Sequence, residues 1–232
     1  MGKEKKLYTR QTFGSREEWL GSRGMGGSSA SAILGVNPWK SKLELYKSIV
    51  APAEKNIKVE TAPNEAMQYG ILSEPLIRKQ FALDHPQFKV IAPRSFEMFR
   101  RIDKPYLTAT LDGRLLETAT GRKGILEVKT RDIRNRADDQ DWQGQLPQNY
   151  FIQVMHYLMV MNDFDFAIVV AKLRFFDYFH EEGKKLLRTE TRYYHIERSE
   201  VAQDIENLEK LETHFWENNV LKKRLPKVEI TF

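Results

Sequence analysis

In Gly124-Ile125-Leu126-Glu127-Val128-Lys129-Thr130, apolar and polar residues alternate from Leu126 to Lys129. This predicts a β-strand that turns Leu126 and Val128 into a core and sets Glu127 beside Lys129 on the opposite face. Residues 95–100, 106–111, 166–173 and 191–196 are rich in β-branched or aromatic side chains and read as further strands. Helical spacing rules elsewhere. Ser41 starts a helix with Leu43, Leu45, Tyr46 and Ile49 on its apolar face. Met67, Ile71, Leu72, Leu76 and Phe81 predict a helix over 63–83 with one buried stripe, bent or divided near Gly70 and Pro75. An apolar helix follows at 150–161. Ser199 opens a last helix, to about 224, with Val201, Ile205, Leu208, Leu211 and Phe215 at helical spacing. Near the start, residues 17–20 suggest a helical turn, and a glycine-rich loop from Ser22 feeds a short helix capped by Ser28 or Ser29 and stopped by Gly35 and Asn37-Pro38. Residues 1–12 are expected to be a flexible lead-in, and 51–61 and 131–148 are polar connections. This order predicts an α/β fold, a central mixed β-sheet flanked by helices, in one domain over residues 1–232.

Composition narrows the chemistry. The chain has no cysteine, so it builds no disulfide, zinc–thiolate site, iron–sulfur cluster or thiol nucleophile. It has no N-terminal apolar signal segment and no uninterrupted apolar run of about 20 residues, from which a soluble protein away from membranes is expected. A formal net charge of +5 favours a polyanionic partner such as DNA or RNA.

The alternating strand carries the candidate chemistry. Leu111-Asp112-Gly113 precedes it, and an adjoining strand there would place Asp112 beside Glu127. Two carboxylates bind a hard divalent cation, and a neighbouring ammonium such as that of Lys129 can position a water, which together suit metal-assisted phosphodiester hydrolysis. On a solvated sheet face the same Glu-x-Lys pattern would be only an ion pair. Glu74 could supply a third carboxylate, or pair with Arg78 four residues on. Gln153 and Tyr157 are one helical turn apart and could line the same pocket, or simply meet water. His156 has no triad around it and reads as structural or surface. Arg23, Gly24, Gly26 and Gly27 with Ser28 or Ser29 could hold a phosphate or be a turn. Arg131, Arg134, Arg136 and Trp142 could line cations and one stacking ring along a nucleic-acid strand, or form a solvated loop.

In order, these segments resemble the YqaJ-like viral recombinase family, relatives of the phage lambda exonuclease within the PD-(D/E)XK nuclease superfamily. The likeness runs from about Trp19 to Ala171. It rests on Arg23-Gly24-Met25-Gly26-Gly27-Ser28 with Ala32 to Gly35 and Asn37-Pro38-Trp39-Lys40-Ser41, on Gly70 to Glu74-Pro75, on Leu111-Asp112-Gly113 with Leu126 to Thr130, and on Trp142, Gly144, Pro147, Tyr150, Gln153 and Tyr157. Leu111 stands where the superfamily name has proline, and Ser29 where many members have aspartate.

The resemblance implies a restriction-endonuclease-like core and a Mg²⁺-dependent 5′-to-3′ exonuclease on double-stranded DNA ends, with Mn²⁺ able to substitute. Asp112, Glu127 and the Val128 carbonyl would hold the metal. Lys129 would orient the attacking water, Glu74 would complete the acidic cluster and Gln153 would help position the nucleophile. Arg23 with Ser28 or Ser29 would hold the 5′ phosphate, and Arg131, Trp142 and Tyr157 would meet the DNA. It further implies a ring-shaped homotrimer, a single-strand annealing protein as partner, and a phage- or prophage-encoded protein in the bacterial cytoplasm. An endonuclease of restriction or repair type, or a non-catalytic DNA-binding module, are the alternatives that the same motif leaves open.

Overall fold

The computed structural model describes residues 6–50, 64–177 and 183–227, so the lead-in up to residue 5 and the polar stretch 51–61 lie outside the described residues. Its strands are β1 (Tyr8–Thr12), β2 (Phe88–Ile91), β3 (Glu97–Arg101), β4 (Thr108–Ala109), β5 (Gly113–Glu117), β6 (Lys123–Ile133), β7 (Phe166–Asp177) and β8 (Lys185–Glu197). Its α-helices are α1 (Arg16–Ser22), α2 (Gly27–Ile33), α3 (Lys42–Val50), α4 (Glu65–Asp84), α5 (Arg136–Gln140), α6 (Gln148–Val160) and α7 (Ala202–Phe215), and α7 runs into a π-helix at Trp216–Val220.

The run FAIVVAKLRFFD of β7 is apolar on both faces, as a strand covered from both sides must be. It lies inside a five-stranded mixed sheet of order β2-β5-β6-β7-β8. Strands β6 and β7 are parallel, paired from Gly124↔Phe166 to Ile133↔Phe175, and parallel neighbours need a long crossover. Helix α6 supplies it. Ile125, Ala167 and Val169 face one core with Val154 and Leu158 of α6. Leu126, Phe166 and Val170 face the other with Phe81 and Ile77 of α4. This is the mixed sheet flanked by helices that the order of elements predicts.

Several elements differ from their predicted form. Residues 8–12, expected to be flexible, form β1, which pairs antiparallel with β3 and buries Tyr8. The predicted strand 95–100 becomes β3, and 106–111 shrinks to the two residues of β4; both belong to a separate three-stranded sheet, β1-β3-β4. Strands β2 and β5, absent from the prediction, complete one side of the main sheet. The polar connection after residue 130 is shorter than expected, because β6 continues to Ile133 and α5 follows. Val201 rather than Ser199 caps α7, without a side-chain bond. Gly26 caps α2, so Ser28 and Ser29 fall inside the helix, where Ser29 Oγ accepts the Gly26 N–H.

Helix α4 departs most. It runs unbroken through Gly70 and Pro75, with Asn64 accepting the Met67 N–H as its cap. Met67, Ile71, Leu72 and Leu76 are exposed rather than buried, and of the predicted stripe only Phe81 enters the core. The sheet takes the face carrying Ser73, Ile77 and Phe81 instead.

Candidate active site

Antiparallel pairing sets Gly113 opposite Leu126, so Asp112 emerges just as β5 begins, beside Glu127 and Val128 of β6. Asp112 Oδ2 accepts the Val128 N–H at 2.8 Å. Within a strand the N–H and C=O of one residue point to the same side, so the Val128 carbonyl also faces Asp112. Glu127 and Lys129 share the face turned to α6, but that face is not solvated: the Glu127 side chain is 2% exposed and that of Lys129 16%.

Helix α6 closes this face with Gln153. Its Nε2 donates to Glu127 Oε1 at 2.9 Å and to Tyr157 Oη at 2.8 Å, and its Oε1 accepts from Lys129 Nζ at 3.1 Å. Lys129 Nζ also donates to Glu127 Oε1 at 2.6 Å. Gly27 of α2 lets α6 come this close, since a Cβ there would lie 2.5 Å from Gln153 Cγ and 2.9 Å from Tyr157 Cε1. Gly24 is similarly required: its Cβ would fall 2.2 Å from the Tyr106 carbonyl oxygen, and Met25 bridges to Leu107. The glycine-rich loop is therefore pinned, with Arg23 stacked 4.8 Å from the Trp19 ring.

The charges in this cluster are out of balance. Burial, then repulsion from Glu127 and Glu74, raises the Asp112 carboxyl well above the usual range despite the attraction of Lys129 and the Val128 N–H. Burial also raises Glu127, against the ammonium of Lys129. Burial opposes the Lys129 charge, but Glu127 and Asp112 outweigh it and lift its pKa, so Lys129 is an ammonium at neutral pH. Glu127 Oε2 is buried without a hydrogen-bond partner. Two acidic groups raised first by burial, a buried carboxylate oxygen without a donor and an adjacent carbonyl form a set that a hard divalent cation fits. A cation would let both carboxylates ionise and give the Glu127 oxygen its missing partner.

The remaining predicted residues are placed unequally. Glu74 stands close enough to raise both Asp112 and Glu127, although among the described residues no three His, Cys, Asp or Glu side chains are grouped to hold one metal ion. It accepts from Arg78 Nη1 at 2.8 Å, and Arg78 also donates to the Asp112 carbonyl at 2.6 Å, which ties α4 to the site. Ser28 is exposed beside the site, while the Ser29 hydroxyl is engaged in capping. Arg131, two residues beyond Lys129, lies on the same strand face. Trp142 is 2% exposed and packed between Tyr150 and Tyr194, because β6, α6 and β8 close over it, so it does not offer a ring to a substrate. Tyr157 is buried too and serves Gln153 rather than the surface. His156 is structural: Nδ1 pairs with Glu212 Oε1 at 2.8 Å and Nε2 with the Thr108 carbonyl at 2.9 Å. Sequence reasoning gave no role to Tyr150, whose ring centre is 4.9 Å from Lys129 Nζ, or to Trp39, 64% exposed, although both stand in the motifs that carry the family likeness.

Comparison with known proteins gives a family and a fold. The family model of the YqaJ-like viral recombinase domain matches residues 18–163. The chain is 30% identical over 221 residues to the uncharacterized protein YqaJ of Bacillus subtilis (strain 168), covering 93% of this chain and 60% of that protein's length. Its fold is shared with the alkaline exonuclease LHK-Exo of Laribacter hongkongensis, at TM-score 0.54 and 17% identity over 89% of this chain and 99% of that one. LHK-Exo in complex with dAMP gives TM-score 0.54 and 15% identity over 90% and 100% of the two chains. A phage-related exonuclease of Haemophilus somnus 129PT gives TM-score 0.51 and 16% identity over 86% and 96%.

Proposed function

From the premise that this chain belongs to the YqaJ-like viral recombinase family, we propose that it is a Mg²⁺-dependent deoxyribonuclease that degrades one strand of duplex DNA from its 5′ end. It would leave a 3′ single strand for an annealing protein. The observation that carries this reading is the convergence of Asp112, Glu127 and Lys129 at one end of β5, with the Glu127 Oε2 left without a partner. Asp112, Glu127 and the Val128 carbonyl would hold the cation. Bound there, Mg²⁺, or Mn²⁺ in its place, supplies Lewis acidity and positive charge to a phosphodiester.

The protein's own groups do the rest. Lys129, kept charged by its two carboxylates, orients the attacking water toward phosphorus and faces the charge that grows on the phosphoryl oxygens. Gln153 fixes both Glu127 and Lys129, so neither has to reorganise when substrate arrives. Arg23 offers a bidentate donor and Ser28 an exposed hydroxyl for a terminal 5′ phosphate beside the site. Arg131 neutralises a flanking phosphate. The proposed assembly is a ring of three copies around the duplex, and a solution mass equal to one subunit would argue against it. No helix among the described residues is long and apolar enough to cross a membrane, and the proposed place of action is the host cytoplasm.

Linear duplexes labelled at either strand end, digested with Mg²⁺ or with EDTA beside a covalently closed circle, test this reading. Loss of one strand from its 5′ end in Mg²⁺ alone, with the circle spared, is the expected result. Cutting of the circle would move the protein to the endonucleases, and no cleavage of any DNA would refute the catalytic reading.

A further inference from the structure

Two adjoining clefts of about 690 and 600 Å³ share Trp39, Arg131 and Tyr150 in their walls. The Tyr150 ring lies 4.9 Å from the Lys129 ammonium. Trp39 lies 6.3 Å from Tyr150, at an interplanar angle of 41°. Behind Tyr150 the buried Trp142, 5.4 Å away, supports the ring from the core side. Aromatic surface thus runs outward from the catalytic lysine, and Arg131 joins it in each cleft.

The outer ring is held rather than left loose. Asn37 Oδ1 accepts the backbone N–H groups of Trp39 and Lys40, both at 2.9 Å. Asn37 Nδ2 donates to the Ser28 carbonyl at 3.1 Å and to Ser31 Oγ at 2.9 Å, which fastens the turn to α2. An indole 64% exposed on a fixed backbone is a pre-formed contact, with its ordering cost already met in the free protein. The Arg131 guanidinium, which lines both clefts, selects the partner. Ring faces beside a guanidinium match a polyanion that carries flat neutral groups, which is the chemistry of an unpaired nucleic-acid strand. Bases inside a duplex have both faces covered by their neighbours, so a lateral ring can stack only on a base that has left the helix or ends it.

We propose that Trp39 and Tyr150 form a clamp for one unpaired base next to the phosphate being cut, with Arg131 on the adjoining phosphate. This rests on the nuclease reading above and deepens it by giving the base beside the cut phosphate a contact of its own. The clamp makes Trp39 a substrate-positioning residue.

The test uses the full chain in EDTA, titrated with a 5′-phosphorylated single strand whose terminal base is fluorescent 2-aminopurine. The wild type is expected to quench that base on binding. Trp39→Ala should lose the quench and about 5- to 150-fold in affinity, the range for removing one base-stacking ring, and Trp39→Phe should recover most of both. In Mg²⁺, Trp39→Ala should slow digestion of fully paired ends more than of ends with mismatched terminal pairs. Equal affinity and equal quenching in wild type and Trp39→Ala would overturn the clamp, as would a wild type that does not quench. These readings need no cleavage, so the two readings fail separately. A wild type that quenches but cleaves nothing would refute the nuclease reading and leave the clamp as a DNA-binding site. Normal cleavage with an indifferent Trp39 would refute the clamp alone.

Discussion

Helices α4 and α6 cover β6 from opposite faces, and both send side chains to the same acid cluster. From Ile152 to Val160, every residue of α6 except Gln153 is buried. Its contribution to the site, Gln153, is locked among Glu127, Lys129 and Tyr157. Only Ser73 and Phe81 of α4 are buried, and its contribution, Glu74, keeps a side chain 34% exposed and shares Arg78 with the Asp112 carbonyl. The difference separates two ways of building a site. One side is fixed by packing, and the other is tethered by charge through a solvent-accessible pair.

Lys129→Ala should have the largest effect, since it removes the group that the α6 side holds in place. A loss of about 10²- to 10³-fold or more in kcat is expected, with DNA affinity in EDTA largely kept. Retained full activity in a single-turnover digestion would sink the assignment of β6 as the catalytic strand.

The next largest effect lies beneath α6. Glu212 is fully buried against His156, and removing one partner of such a pair costs about 3–5 kcal/mol. Glu212→Ala should therefore show a large loss of stability in urea unfolding near pH 6, and a loss of under about 1 kcal/mol would mean that α6 does not depend on it. Burial disfavours the imidazolium, but the Glu212 charge, its hydrogen bond and the Thr108 carbonyl outweigh it and raise the His156 pKa. The sign follows: this stabilisation is complete below the unfolded value of about 6.5 and is lost as pH rises through the higher folded value. The stability gap between wild type and Glu212→Gln should then narrow on the alkaline side.

Gln153 and Glu74 make the comparison directly. Gln153→Ala should cost about 10- to 100-fold in activity, as losses behind a metal ligand do. Glu74→Gln should cost up to about 5-fold, the size of an exposed ion pair. If steady-state kinetics ranked them the other way, the tethered side would be the one that matters.

What the sequence made legible follows the same division. Strand β6 and helix α6 announce themselves through their patterns, an apolar start followed by Leu-Glu-Val-Lys alternation in one and nearly continuous apolar residues in the other. Strand β5, Gly-Arg-Leu-Leu-Glu, and the four-residue β2 carry too little alternation to be found, and β1 buries only Tyr8 of its five residues. The joining of Asp112 to Glu127 was legible as a motif, but the hydrogen bond to the Val128 N–H and the orphaned Glu127 oxygen are products of register. Trp142 and Tyr157 show the opposite failure. Their residue types suit a nucleic-acid surface, and only the closing of β8 and α2 over them decides that they face inward. Trp39 is the exposed ring, and nothing in its neighbours' hydropathy distinguishes it from a core tryptophan.

The smallest expected effect tests that lesson where it is least intuitive. Leu72 and Leu158 are both helical leucines in apolar surroundings by sequence, but Leu72 is 72% exposed on α4 and Leu158 is fully buried on α6. Truncating a buried leucine costs about 2–5 kcal/mol through lost transfer energy and the cavity left behind. Truncating an exposed one removes little surface from any core and should change stability by less than about 0.5 kcal/mol. Chemical unfolding of Leu158→Ala and Leu72→Ala, each beside wild type at one protein concentration, measures both. A Leu72→Ala loss approaching that of Leu158→Ala would mean that the outer face of α4 is covered in solution. Repeating the measurement at several concentrations would then separate the two ways of covering it, because a contact between copies weakens on dilution and a contact within one chain does not.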